Sequence, residues 1–76
     1  MNDREKIVRI LRALNHKSRL QILECIQEGI NNPGRIAHDI DRHRATIEKH
    51  LRVLSGAGIV EKVPVLTNQG HLSISY

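Results

Sequence analysis

The stretch from residue 44 to residue 62, RATIEKHLRVLSGAGIVEK, constrains the fold of this chain more than any other part. With about 100° of rotation per residue, as in an α-helix, Leu51 and Leu54 fall within about 40° of Ile47 and form one apolar stripe. The other side carries a small residue among charged ones: Ala45, Glu48, Lys49 and Arg52. The pattern predicts an amphipathic helix over residues 44–55 that buries one face, followed by a Gly-Ala-Gly break and then a strand.

Two helices are predicted before this stretch, over residues 3–14 and 17–28. Asn2 has the position and the residue type of an N-cap for the first helix. The apolar residues of that helix recur at spacings of three and four and form one stripe: Ile7, Ile10, Leu11 and Leu14. The second helix has a wider apolar arc, which predicts that it is the central helix of the core. The residues of this arc are Leu20, Ile22, Leu23 and Ile26.

A third, short helix is predicted over residues 33–40. Asn32 can accept hydrogen bonds from its first free N–H groups, and Pro33 suits the first helical position. Residues 41–43 then make a tight turn into the helix over 44–55. Two helices joined by so short a turn form a helix-turn-helix unit.

The end of the chain predicts a hairpin. Residues 59–66 and 71–76, IVEKVPVL and HLSISY, alternate in the manner of strands, with turn residues between them. A two-stranded hairpin is not stable alone, so we expect it to pack on the helices. The predicted fold is therefore mainly α with a small antiparallel β-hairpin, in the order of a winged helix-turn-helix domain preceded by one extra helix.

Length and charge narrow the class of protein. Seventy-six residues suffice for one domain, which we expect to span residues 1–76, with the helix-turn-helix at about 33–55 and the wing hairpin at about 59–76. Twelve Lys and Arg residues against 8 Asp and Glu residues give a formal net charge of +4, which favours a polyanionic partner. The absence of Phe and Trp argues against recognition of single strands or RNA by base stacking.

Other classes are excluded by what the sequence lacks. A single cysteine, Cys25, rules out an intramolecular disulfide and a multi-cysteine zinc site. We see no apolar run long enough for a membrane helix and no signal peptide, so we expect a cytoplasmic protein without a membrane partner. The sequence shows no catalytic triad, phosphate-binding loop or helical pair of His ligands, so we predict neither an enzyme nor a bound metal or cofactor.

Three segments, in this order, resemble the ArsR-type winged helix-turn-helix regulators. LNHKSRLQIL at residues 14–23 is similar to the stretch that joins that family's first two helices. NPGRIAHDI at residues 32–40 is similar to its first motif helix, and RATIEKHLRVLSGAGIVEK to its recognition helix and first wing strand. The resemblance implies a transcriptional regulator that binds double-stranded DNA.

The chain departs from the metal sensors of that family. Those sensors often carry a Cys-x-Cys pair in the first motif helix, where this chain has RIAHDI. Other sensors hold metal on a last helix, which is also a principal dimer element and has no counterpart here. Metal sensing therefore does not carry over, and no small-molecule effector can be identified. In the turn, Arg42 and His43 replace the usual apolar residue and Ser or Thr cap.

The helix over 44–55 is predicted to lie in the DNA major groove, whose floor carries a readable donor and acceptor pattern. The residues expected to face DNA lie in the preceding turn and on the outer side of the helix: Arg42, His43, Arg44, Ala45, Thr46, Glu48, Lys49 and Arg52. Thr46 and His50 lie on the flank, where a hydrogen bond to a neighbouring helix is expected. In the competing interpretation the charged face is only a solvated surface, on which Glu48 pairs with Arg52.

Two other functions fit the same fold. Winged helices also serve as protein-interaction modules, and the apolar residues around Pro64, Val65 and Leu66 offer a surface for a protein partner. The turn over 67–71 carries no Lys or Arg, which makes the wing a poor phosphate reader. Non-specific, chromatin-like DNA binding is the third hypothesis, and the modest charge of +4 weighs against it.

A thin core and an additional first helix favour a homodimer. The interface is predicted on the first helix, through Ile7, Ile10, Leu11 and Leu14. Of these, Leu11 and Leu14 are expected to face the domain, and Ile7 and Ile10 to reach outward. A twofold dimer places two recognition helices in successive major grooves, which predicts an inverted repeat with half-sites about 10 bp apart or a multiple of that.

Overall fold

A computed structural model describes residues 2–76 as four helices followed by a two-stranded antiparallel sheet. The elements are α1 Asp3–Leu14, α2 Lys17–Gln27, α3 Pro33–Asp39, α4 Arg44–Gly56, β1 Val63–Leu66 and β2 Leu72–Ser75. Met1, the first residue of the predicted domain, lies outside the described residues. Among residues 2–76, every helix is too short or too polar to span a bilayer. The mainly α fold with a small hairpin agrees with the prediction from the sequence.

Side chains fix where the first three helices begin, by accepting hydrogen bonds from their free backbone N–H groups. Asn2 Oδ1 accepts from the backbone N–H of Glu5 at 2.8 Å. Asn32 caps α3 in the same way at 2.9 Å, and His16 caps α2 through Nδ1 at 3.2 Å. α4 begins differently, because its N-cap residue, His43, makes no side-chain capping bond.

Helix α4 is the centre of the core and contacts each of the other three helices. Its fully buried residues are Ile47, Leu51 and Leu54. Helix α2 also contacts the three other helices, but less of its predicted apolar arc is buried, since Ile22 is fully buried whereas Leu20 is 47% exposed. The apolar arc of α2 is wider than the surface that contacts α4, so its edge at Leu20 remains exposed.

Helix α1 packs through a narrower face than its apolar stripe predicts. Its one buried residue is Ala13, and Ile10 and Leu14 are half-buried. Ile7 and Leu11 are 57% and 59% exposed. The expectation that Leu11 faces the domain is therefore wrong, whereas Ile7 reaches outward as expected and Ile10 is only half-buried. Leu11 lies one turn after Ile7, so these two residues share the outer side of the helix.

The hairpin is shorter than predicted. β1 and β2 pair in antiparallel register, with Val63 opposite Ser75 and Leu66 opposite Leu72. Residues 59–62, expected to be part of the first strand, precede β1.

The way in which α4 ends explains why β1 begins only at Val63. Gly58 has a φ of 76°, which turns the chain back on the helix. The backbone N–H of Ile59 then donates to the carbonyl of Leu54 at 3.0 Å. The backbone of Ile59 is thus used to end α4 and not to pair with a strand. Ile59 and Val60 pack their side chains against the helical core.

The last residue ties the hairpin to the helix-turn-helix unit. The backbone N–H of Tyr76 donates to the carbonyl of Asn31, just before α3, at 3.0 Å. The Tyr76 side chain is half-buried and packs against the core. The open end of the hairpin is therefore anchored, while its turn extends away from the helices.

The missing cap on α4 gives a test of the fold. His43 already has the extended backbone of an N-cap residue, with φ −65° and ψ 141°. We expect His43→Ser to supply the capping oxygen and to raise the free energy of unfolding by about 1 kcal/mol, which raises Tm by about 4–8 °C in a domain of this size. Asn32→Ala, which removes the cap of α3, is the matched control and should lower the free energy of unfolding by about the same amount. Thermal unfolding followed by circular dichroism measures both, and an unchanged or lower Tm for His43→Ser would contradict this account of α4.

Candidate nucleic-acid interface

The residues that the sequence predicts to face DNA surround the start and the outer side of α4. Seven of them are exposed: Arg42, His43, Arg44, Ala45, Thr46, Lys49 and Arg52. The eighth, Glu48, is half-buried. Burial of the apolar stripe on the opposite side of α4 determines which side of the helix faces outward.

The turn between α3 and α4 is tight because Asp41 adopts a left-handed conformation, with a φ of 55°. Asp is among the few non-glycine residues that accept this conformation. The backbone N–H of Arg42 donates to the carbonyl of Ala37 at 2.9 Å, which closes the turn against α3. Arg42 and His43 are thereby placed just ahead of α4, where they line a shallow pocket with Thr46.

One ion pair lies on the outer face. Arg44 Nε donates to Glu48 Oε1 at 3.2 Å, and among residues 2–76 this is the only salt bridge. Glu48 therefore pairs with Arg44 and not with Arg52, as the competing interpretation had it. The Arg44 guanidinium lies against Gly34 of α3, where a Cβ would meet Arg44 Nη1 at the ordinary contact distance of 3.5 Å. Because the side chains of Arg44 and Glu48 are 62% and 42% exposed, we expect the pair to contribute only about 0.2–1 kcal/mol.

A groove of about 400 Å³ separates α4 from the hairpin. Arg52 lines it from the helix, and Lys62 lines it from the base of the hairpin. The helical pattern does not identify Lys62, because this residue follows the helix. A signal is nonetheless present in the sequence, since Lys62 is the only Lys or Arg after residue 52. The cationic surface therefore continues from α4 to the start of β1.

On the flank of α4, His50 joins the helix to α2. His50 is only 8% exposed, and its Nδ1 accepts a hydrogen bond from Arg19 Nε at 3.2 Å. Arg19 Nη1 also donates to the carbonyl of Ala13 on α1 at 3.3 Å, and the ring of His16 lies 4.5 Å from that of His50. The expected hydrogen bond between His50 and a neighbouring helix is confirmed, with His50 as the acceptor. Thr46 is instead exposed beside the turn.

Burial changes the acid–base properties of two groups. The pKa of His50 is lowered from 6.5 by burial and then by its neighbours His16, Arg19 and Lys49, so the imidazole is held neutral as an acceptor. The pKa of Cys25 is raised to about 11, first by burial and then by its hydrogen bond to a carboxylate of α3. Cys25 is therefore a protonated, buried thiol at neutral pH. Among residues 2–76, no three His, Cys, Asp or Glu side chains are grouped so that they could hold a metal ion.

Comparison with protein families supplies the identification. A family model described as "Bacterial regulatory protein, arsR family" matches residues 16–62. The chain belongs to the ArsR family. The ArsR match runs from the N-cap of α2 to the base of the hairpin, so it includes the helix-turn-helix unit and the exposed face of α4. Comparisons with the curated proteins and with the solved structures found no match.

Family membership gives the coarse function. An ArsR helix-turn-helix unit supports DNA binding and regulation of transcription, and the family is regulatory and not enzymatic. The match lies over the same residues whose exposed, cationic side chains form the candidate interface.

The buried imidazole predicts a dependence of stability on pH. Because the folded state lowers the pKa of His50 below 6.5, the unfolded chain binds more protons once the pH falls below that value. The contribution of neutral His50 to the free energy of unfolding is fully present above the pKa that His50 has in the unfolded chain. It is lost as the pH falls through the lower pKa that His50 has in the folded state. We therefore expect denaturant unfolding to show a free energy of unfolding that falls as the pH is lowered below 6.5. His50→Asn, which keeps an acceptor near the Nδ1 position, should be less sensitive to pH, and equal pH profiles for the two proteins would contradict the assignment.

Proposed function

We propose that this chain is a sequence-specific regulator that binds double-stranded DNA with α4 in the major groove. One observation carries the proposal: α4 is anchored by a fully buried stripe, while its outer face presents exposed Arg44, Lys49 and Arg52 around the small side chain of Ala45. The major groove is wide enough to admit an α-helix with such a face. We expect such a regulator to act on DNA in the cytoplasm.

The outer face offers different contacts to bases and to phosphates. Half or more of the hydrogen bonds in protein–DNA interfaces go to the backbone, so Arg42 and His43 ahead of α4 are assigned to phosphates. Ala45 is small enough to let the helix approach closely and can contact a thymine methyl group. Glu48 can accept from the amino group of a cytosine, provided that it releases Arg44. Lys49 and Arg52 reach either the floor or the walls of the groove.

The hairpin is assigned to the adjacent backbone. Lys62 at its base supplies the cation for this contact. The hairpin turn between β1 and β2 carries no Lys or Arg. We therefore assign the phosphate contact to the base of the wing and not to its tip.

A second candidate function rests on the hairpin tip. Leu66 and Leu72 are each 71% exposed and lie opposite one another in the sheet. Two large apolar side chains held together in this way suit a protein partner. An interaction module that uses this tip is the alternative to a DNA-reading domain.

Selection from random duplexes tests the DNA proposal directly. At about 0.15 M salt we expect a defined sequence motif to be recovered, and not uniform binding or none. Uniform binding would indicate a non-specific DNA binder, and no binding would favour the interaction module. Either of these results would contradict the proposal.

Point variants then test whether α4 makes the contacts. We expect Lys49→Ala and Arg52→Ala each to weaken binding by about 1–3 kcal/mol where the residue reads a base. Where it contacts a phosphate, the slope of log K against log salt should become shallower by about 0.9. Arg4→Ala, in the first turn of α1, removes the same charge and is the control. Equal losses from all three variants would indicate a diffuse basic surface and not a docked helix.

We also propose that two copies form a twofold dimer through the outer side of α1. Ile7, Val8 and Leu11 are exposed there, and a concave surface formed partly by Leu11 and Leu14 lies beside them. Half-buried Ile10 and Leu14 complete the interface at its edges. An apolar patch of this kind on a small domain suits contact with an identical patch. Such a dimer places two copies of α4 on successive major grooves, with half-sites about 10 bp apart or a multiple of that.

Sedimentation tests this interface. We expect the wild type to sediment as a dimer and Ile7→Glu as a monomer, because the substitution buries a carboxylate in an apolar contact. Lys6→Glu introduces the same side chain at the adjacent, polar position of α1 and should remain dimeric. Circular dichroism checks that Ile7→Glu is folded. A monomeric wild type, or a dimeric Ile7→Glu, would contradict the interface on α1.

A further inference from the structure

A second cationic surface lies where α1 and α2 meet the C-terminal half of α4. A pocket of about 290 Å³ opens there, with four arginines in its wall: Arg9, Arg12, Arg19 and Arg52. The rest of its lining is small or apolar, and it includes no Asp or Glu. We call it the arginine pocket. None of its arginines except Arg52 belongs to the predicted DNA-facing set.

Three helices and one glycine build the arginine pocket. Arg9 and Arg12 are three residues apart and share one side of α1, and Arg52 reaches the pocket from α4. The Arg9 guanidinium lies next to Gly56 at the end of α4, since a Cβ on Gly56 would meet Arg9 Nη2 at the ordinary contact distance of 3.6 Å. Arg9 therefore lies beside α4.

Arg19 is fixed in the wall of the pocket before any ligand arrives. Its Nε donates to neutral His50, and its Nη1 donates to the carbonyls of Ala13 and Arg12 at 3.3 Å and 3.5 Å. A guanidinium that is already oriented loses little conformational freedom when it binds a ligand. The pocket therefore combines one preorganised cation with three exposed ones.

The charge in the arginine pocket is not neutralised within the described residues. The only ion pair among residues 2–76 joins Arg44 to Glu48, and neither lines this pocket. Four guanidinium groups around one concavity repel one another, and a bound anion relieves that repulsion. The planar donor fork of Arg matches the oxygens of phosphate, which can accept from several such groups at once.

We propose that the arginine pocket binds a phosphate group. Its volume of about 290 Å³ is at the lower end of ligand sites, which suits a phosphate or pyrophosphate group and not a whole drug-sized molecule. The phosphate comes either from a soluble phosphorylated compound or from the backbone of a duplex beside α4. Arg52 lies on the outer face of α4 as well as in the pocket, so a soluble anion bound here competes with DNA for the same side chain.

The first arm of the test needs no DNA. Inorganic pyrophosphate is titrated into the full chain at about 0.15 M salt and followed by calorimetry and by the NMR signals of the arginine Nε–H groups. A soluble ligand predicts saturable binding that the double variant Arg9→Gln/Arg12→Gln weakens by at least about tenfold. Arg4→Gln, which removes charge outside the pocket, should bind as the wild type does. If circular dichroism shows the double variant to be unfolded, Arg12→Gln alone replaces it.

The second arm measures the salt dependence of duplex binding and rests on the proposed function. If the pocket holds a backbone phosphate, the slope of log K against log salt should become shallower in the double variant, by about 0.9 for each phosphate that the variant no longer neutralises. Arg4→Gln should leave this slope unchanged. Pyrophosphate binding without any duplex binding would contradict the proposed function and leave the arginine pocket supported. No saturable pyrophosphate binding together with an unchanged slope would overturn the proposal. Equal losses in Arg4→Gln and in the pocket variants would also overturn it.

Discussion

Burial of the apolar stripe of α4 holds the other helices together and sets the orientation of α4. Ile47, Leu51 and Leu54 are fully buried against the three other helices. Each contributes about 1.5–3 kcal/mol relative to exposure, in a chain with few other large core residues. A rotation of α4 about its axis would expose them, so the stripe fixes the helix in one orientation. The outward direction of Lys49 and Arg52 follows from this constraint and not from any contact of their own.

Polar contacts at the edge of the core then determine where the arginine side chains around α4 lie. Neutral His50 accepts from Arg19 and joins α2 to α4, while Glu48 holds Arg44 near Gly34. The proposed DNA face and the arginine pocket are two parts of one surface that meet at Arg52. A phosphate in the pocket and a duplex on α4 would therefore be linked through a single side chain.

The sequence predicted those features that depend on neighbours along the chain. Helical periodicity and capping residues located all four helices within a residue or two, and the Gly-rich break located the end of α4. Features that depend on distant parts of the chain were not predictable. Leu11 faces outward because contact with α4 uses the Ala13 side of α1, and Ile59 does not join β1 because its N–H ends α4. The arginine pocket draws its wall from three helices, so spacing in the sequence could not reveal it.

In the proposed complex, the outer face of α4 docks on duplex DNA while its inner face stays packed in the core. Backbone amide NMR of the labelled chain, titrated with a duplex that it selects, tests this docking. We expect the largest shifts along the outer side of α4, at Ala45, Lys49 and Arg52, with smaller shifts at Lys62. Shifts concentrated at Leu66 and Leu72 on the hairpin tip, with α4 unaffected, would contradict it.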